Sequence, residues 1–250
     1  HGQLYFVNSN NGTSDFSQAV GSSLRGITRW TSDTGYLLID ESSGRTITMY
    51  RVNNDGEVLD SGEDPTMGLG EGIIKLSDGN NLMFGGNMPG CCGGTWDARM
   101  AKVTDGGSII DNQTYCRMCG NDIVGDDFFL GATSFDGGFA TVGMSGYADG
   151  SDSEAYKEGF FAIYNNDSDP YCYYWEGGSN SNIKTAYEVV AQDQDGNFIV
   201  GGNNKLRTND SKAYPILRKF NDQCQLIDEL DYNDLSNNES YVNDILIDND

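Results

Sequence analysis

Thirty-eight acidic residues stand against 15 basic ones and one histidine. The chemistry open to this chain is therefore that of carboxylates, thiols, amides and aromatic rings. His1 is the only imidazole, so a Ser-His-Asp or Cys-His arrangement would have to use the chain terminus. A two-histidine copper or zinc site within one chain is excluded. Paired carboxylates suffice for glycoside cleavage, and six acids at strand starts are the candidates: Asp33, Glu71, Asp126, Asp127, Glu188 and Asp244. Asp at such places is also favoured for local hydrogen bonding in turns. None is assigned a catalytic role on sequence; burial and a raised pKa would be the physical grounds for one.

The six cysteines are Cys91, Cys92, Cys116, Cys119, Cys172 and Cys224. An even number fits an oxidising compartment. Cys116-Arg-Met-Cys119 could be half of a four-thiolate zinc site. Consecutive Cys91 and Cys92 make a poor second half, because neighbouring side chains diverge. A redox role for the pair lacks the surrounding βαβ pattern. Structural disulfides are expected instead. The most economical pairing joins the 91/92 pair to 116/119 and Cys172 to Cys224, although fifteen pairings of six thiols remain open.

No cofactor is expected, although acidic loops offer oxygen ligands for calcium. Asp149 and Asp152 lie in one such loop and Asp167 and Asp169 in another. Neither follows the twelve-residue EF-hand pattern, and solvated turns are the favoured explanation. Five glycosylation sequons begin at Asn11, Asn112, Asn166, Asn209 and Asn238, all in expected loops or strand edges where a glycan can be carried. Sugar rings stack on exposed aromatics; Tyr171, Tyr173, Tyr174 and Trp175 form a dense run, with Trp96 and Tyr147 elsewhere. The competing role for these rings is packing between sheets.

A formal net charge of −23 argues against nucleic acid, whose phosphates require a basic footprint, and against anionic membrane surfaces. No apolar run approaches the roughly 18–20 residues of a membrane-spanning helix. The chain begins at His1 without methionine or leader pattern, which reads as a mature product or a piece of something longer. Cysteines and sequons together place it outside the cell or on its surface.

The elements that would position these groups recur. Around Gly35, Gly79, Gly137 and Gly196 stand GITRWTSDTGYLLID, GIIKLSDGNNLMFGG, FLGATSFDGGFATVG and YEVVAQDQDGNFIVGG, spaced by 44, 58 and 59 residues. A fifth copy around Gly2 appears when YVNDILIDND at the end is joined to HGQLYFVNSN at the start. In each copy a first strand meets a glycine turn. A continuously apolar second strand follows: 36–39, 81–84, 139–142, 198–200 and 4–7. In three copies it closes on Gly85-Gly86, Gly143 or Gly201-Gly202, where neighbouring blades are expected to crowd the backbone. More polar third strands follow at 46–52, 98–103, 159–164 and 215–220. Turns such as Asn53-Asn-Asp-Gly56 and Thr104-Asp-Gly-Gly107 lead to a fourth. Repeats of this period and four strands per unit specify a β-propeller.

Through its D-G-x-apolar-apolar-G-G core the chain resembles secreted kelch-like propeller repeats. The expected fold is all-β: one domain over 1–250, a five-bladed β-propeller of four-stranded antiparallel blades. The blades are 24–66, 67–120, 121–180 and 181–240, with the last completed by 241–250 and 1–23. The expected function is that of an extracellular, non-enzymatic structural or binding module. It would recognise a glycan or a protein, or associate with itself into a fibre. The alternative implied by five-bladed propellers is a glycoside hydrolase with carboxylates on inner strands around a channel.

Overall fold

The computed structural model describes residues 3–7, 14–19, 23–29, 35–41, 46–64, 67–87, 96–115, 127–147, 156–176, 183–206, 213–232 and 241–247. Strands β1 (Gln3–Val7) and β2 (Ser14–Ala19) pair antiparallel, with Phe6 opposite Phe16. Four four-stranded sheets follow, each with its strands in chain order. The first holds β3 (Leu24–Arg29), β4 (Gly35–Glu41), β5 (Ile47–Asn53) and β6 (Val58–Asp64). The second holds β7 (Leu69–Lys75), β8 (Asn81–Asn87), β9 (Asp97–Val103) and β10 (Ile109–Tyr115). The third holds β11 (Asp127–Phe135), β12 (Gly138–Tyr147), β13 (Tyr156–Asn165) and β14 (Pro170–Glu176). The fourth holds β15 (Ile183–Gln192), β16 (Phe198–Leu206), β17 (Ala213–Phe220) and β18 (Leu226–Asp231).

Two compact units divide the chain: 1–87 with 99–113, and 88–98 with 114–250. Each has its own core. In the first unit Leu37, Ile39, Ile47 and Met49 of the first sheet meet Ile73, Met83, Ala101 and Val103 of the second. In the second unit Ala140, Val142, Phe161 and Ile163 meet Tyr187, Phe198, Val200, Ile216 and Phe220. The ring of Phe161 stacks on that of Phe220 with centroids 4.7 Å apart. The continuous apolar runs behave as their pattern predicts: β8 is buried from Asn81 to Gly86. The outer strands β6, β10 and β18 are largely exposed, which orders each sheet from a packed inner side to a wet outer edge.

The first strand of every four-stranded sheet carries a bulge at one equivalent position. Register shifts leave one extra residue between Leu24 and Gly26, Gly70 and Gly72, Phe129 and Gly131, and Tyr187 and Val189. Those residues are Arg25, Glu71, Leu130 and Glu188. A bulge bends the strand and re-aims its side chains. Beside it the next first strand comes very close. A Cβ on Gly26 would sit 2.8 Å from the Ile73 nitrogen of β7, and one on Gly131 would overlap the Glu188 carbonyl oxygen of β15.

At three of the closing glycines the crowding has a different cause from the one expected. A Cβ on Gly85, Gly143 or Gly202 would strike the carbonyl of Leu69, Phe128 or Ala186. All three carbonyls belong to the first strand of the same sheet, not to a neighbouring blade. In the first sheet Asp40 takes this place, and its carboxylate accepts from the Ser23 amide at 2.5 Å.

One turn design joins third and fourth strands throughout. Asn53, Asn165 and Asn221 each accept two backbone amides on the side-chain oxygen, from the residues two and four positions on. Thr104 stands in their place in the second sheet and its hydroxyl accepts from the Ser108 amide at 3.1 Å. The fourth residue of each turn has positive φ: Gly56, Gly107, Ser168 and Cys224. Gly79, Gly137 and Gly196 do the same between first and second strands, as the repeat predicts. Gly35 is the exception. It opens β4 opposite Asn53, as Gly138 opens β12 opposite Asn165, so its counterpart is Gly138 and not Gly137.

Gly131→Ala should therefore cost about 3 kcal/mol by forcing the first strands apart, whereas Gly62→Ala, on an open face of β6, should cost nothing. Urea denaturation midpoints of the two variants check this.

Candidate functional site

The bulges bring two of the six candidate acids, Glu71 and Glu188, to equivalent places on inner strands. In the first unit Arg25 bridges to the neighbouring strand: its Nη2 and Nε donate to Glu41 Oε2 at 2.7 and 3.1 Å. Glu71 joins this cluster. Burial pushes its carboxyl above the ordinary glutamate range, the Arg25 charge pulls it back, and Glu41 adds to the rise. In the second unit burial likewise raises the Glu188 carboxyl, while Asn203 Nδ2 donates to Oε1 at 2.6 Å and opposes the rise. Half-buried carboxylates of this kind accept hydrogen bonds from hydroxyl groups and hold a proton more readily than surface acids. Glycoside cleavage needs a second carboxyl across the bond. The charged groups that act on the Glu71 carboxyl are Arg25 and Glu41, and the Asn203 amide donates to Glu188.

The other candidates disperse. Asp127 is buried at the start of β11, where its amide donates to the Trp96 carbonyl at 2.7 Å. Asp244 is exposed, with its carboxylate accepting the adjacent Ile245 amide at 2.8 Å. Asp33 and Asp126 lie outside the described residues. So do Asp149 and Asp152. Asp167 and Asp169 are exposed in the Asn165 turn, which closes through amides alone. No group of three or more histidine, cysteine or acidic side chains placed to hold a metal occurs among the described residues. Asn112 is exposed on β10 and Asn166 is half-buried; Asn11, Asn209 and Asn238 lie outside.

Cys172 and Cys224 are joined as the spacing suggested, with Cα atoms 5.8 Å apart, so β14 of the third sheet is stapled to the turn before β18 in the fourth. Cys91, Cys92, Cys116 and Cys119 are outside the described residues. The same junction holds a buried ionic network that the sequence reading did not anticipate. Arg218 is 3 % exposed. Its Nη2 donates to Glu176 Oε1 and its Nη1 to Asp231 Oδ1, both at 2.5 Å. The Tyr187 hydroxyl also donates to Glu176, and burial followed by the Glu176 charge drives that phenol well above its ordinary value. One arginine in a strand of mostly apolar residues, 42 positions from its carboxylate, leaves no local signal of such pairing.

The aromatic run divides between its two expected roles. Tyr174 packs on Phe220 with centroids 4.8 Å apart, and Trp175 stacks on Tyr115 at 5.9 Å. Trp96 tilts against Phe128 at 5.7 Å. Tyr171 and Tyr173 are 67 % and 66 % exposed. Nothing is described of the Tyr147 side chain.

No protein-family model matches the chain, and no curated protein matches its sequence. Solved structures do match in fold. Hydrazine synthase of Kuenenia stuttgartiensis aligns over 95 % of this chain and 62 % of its own, at 12 % identity and a TM-score of 0.63. This chain thus spans less than two thirds of that relative. The β-propeller domain of Cps50 (Swd1) from Myceliophteria thermophila aligns over 95 % of this chain and 67 % of its own, at 8 % identity and a TM-score of 0.55. The protein is all-β, built of four-stranded antiparallel sheets, with the fold of β-propellers.

Folding raises the Glu71 pKa from its ordinary 4.5. Its contribution to stability is then full below that value and is lost as pH rises through the folded pKa. Glu71→Gln should raise the melting temperature at pH 7 and leave it unchanged at pH 4. Equal shifts at both, by scanning calorimetry, would contradict the assignment.

Proposed function

We propose that this chain is an extracellular, kelch-like, five-bladed propeller serving as a non-enzymatic structural or binding module for a glycan or protein. The observation that carries this reading is a repeated exposed side chain on the outer strands. Counting six residues on from Asn53, Thr104, Asn165 and Asn221 gives Leu59, Ile110, Tyr171 and Ile227, each more than half exposed. Exposed apolar positions on edge strands are surfaces for partners. Their recurrence in every four-stranded sheet makes a shared surface role the economical account.

Five blades in one domain follow from the repeat and draw support from the C-terminal segment. A Cβ on Gly201 would meet Val242 at 2.6 Å and Ile245 at 3.2 Å. The equivalent residue of the first sheet, Ile39, faces Gly70 on the first strand of the next sheet. This contact supports reading residues 241–247 as a further first strand, as the repeat across the two ends proposes. The Cys172–Cys224 bond supports an oxidising, extracellular setting. Among the described residues no helix is long and apolar enough to cross a membrane. Self-association into a fibre would use the same outer edges.

The raised carboxyls of Glu71 and Glu188 favour the second reading, a glycoside hydrolase. Intact protein incubated with an oligosaccharide array and with the same sugars in solution separates the two. Saturable binding with no reducing ends released is the expected result. Release that is lost in both Glu71→Gln and Glu188→Gln would establish the enzyme instead.

A further inference from the structure

Two crevices at equivalent places in the repeat differ in what fills them. Between the first and second sheets the space is about 60 Å³, lined in part by Arg51, Asp60 and Gly107. Arg51 Nη1 reaches Asp60 Oδ2 at 3.8 Å and occupies the opening. Between the third and fourth sheets the corresponding residues are Ile163, Cys172 and Cys224. The ion pair is replaced by an aliphatic side chain and a disulfide, and the crevice opens to about 300 Å³. Its polar and aromatic lining comprises Phe135, Tyr171, Gln192, Phe198, Asp222 and Gln223, with Cys172 at the staple.

We infer that this crevice is a binding site for one or two neutral sugar rings. Rings of Phe135 and Tyr171 supply apolar faces for the C–H side of a pyranose. Phe135 is held edge-on to Phe198 with centroids 5.4 Å apart, which fixes one wall. Tyr171 is the extra residue of a bulge, between the Ile163–Cys172 and Tyr164–Pro170 pairs, and is largely exposed. The amides of Gln192 and Gln223 and the Asp222 carboxylate supply both donors and acceptors for hydroxyls. Gln192 Nε2 is tied to the Gly196 carbonyl at 3.3 Å, which holds the amide in place. A single carboxylate and no cation among the lining residues selects against anionic ligands. The volume stands at the lower end of small-ligand pockets, about 300–1,000 Å³. The site deepens the binding-module reading and rests on it.

The test titrates the intact, oxidised protein with methyl β-D-glucopyranoside, methyl α-D-mannopyranoside and N-acetyl-D-glucosamine, with N-acetylneuraminic acid as the anionic control. Binding is read by saturation-transfer NMR and calorimetry. At least one neutral sugar should bind saturably and the anionic one should not. Tyr171→Ala should weaken binding about tenfold, Tyr171→Phe should retain it, and Leu230→Ala, an exposed apolar residue of β18 outside the crevice lining, should leave it unchanged. Failure of every neutral probe to bind overturns the proposal. Binding unchanged in Tyr171→Ala overturns this crevice while leaving glycan recognition intact. Cleavage of a probe would overturn the binding-module reading itself.

Discussion

Backbone meeting backbone between the first strands of adjoining sheets is the contact on which the rest of each unit depends. Gly26 against Ile73, and Gly131 against Glu188, leave no room for a side chain. Sheets can converge at that side only where the pleat is interrupted, and the four bulges interrupt it at one height. Convergence there spreads the sheets outward, and large side chains fill the widening gap. Tyr187, Phe161 and Phe220 do so in one unit, and Ile39, Ile47 and Met49 in the other. The same interruption turns Glu71 and Glu188 out of the regular ladder, so the packing device and the candidate chemistry are one feature.

Much of this architecture was legible from turn chemistry and hydrophobic pattern. The second strands announce themselves as apolar runs, and Gly79, Gly137 and Gly196 mark turns because left-handed backbone strongly favours glycine. The bulges were not legible. Whether Glu71 continues the strand or stands out of it depends on a one-residue slip against β8, which alternation over a short run cannot specify. Gly35 misled for a related reason: a glycine that opens a strand and a glycine within a turn look alike in sequence. The closing glycines were correctly read as crowded, but at Gly85, Gly143 and Gly202 the crowding comes from the bulged strand of their own sheet, while Gly201 meets the 241–247 segment.

Parts of the candidate site were legible. Acid-rich turns invited a calcium reading, and the structure accounts for Asp167 and Asp169 through an asparagine turn shared with the first and fourth sheets. The Cys172–Cys224 bond came through because equal repeats put both residues at one junction. The Arg218 network did not, since its partners come from different sheets. Removing one partner from such a buried pair typically costs about 3–5 kcal/mol, so this junction is held by both covalent and ionic means. That rigidity suits a crevice whose walls must keep their spacing.

The proposed five-bladed closure requires residues 242–247 to act as the first strand of a further sheet and not as a trailing segment. Native-state hydrogen exchange, followed by mass spectrometry, reads this directly. The account predicts amide protection across 242–247 comparable to that of β4 and β8, with β1 protected in parallel. Exchange of those amides at the rate of an unstructured peptide, while β4 and β8 stay protected, would contradict it.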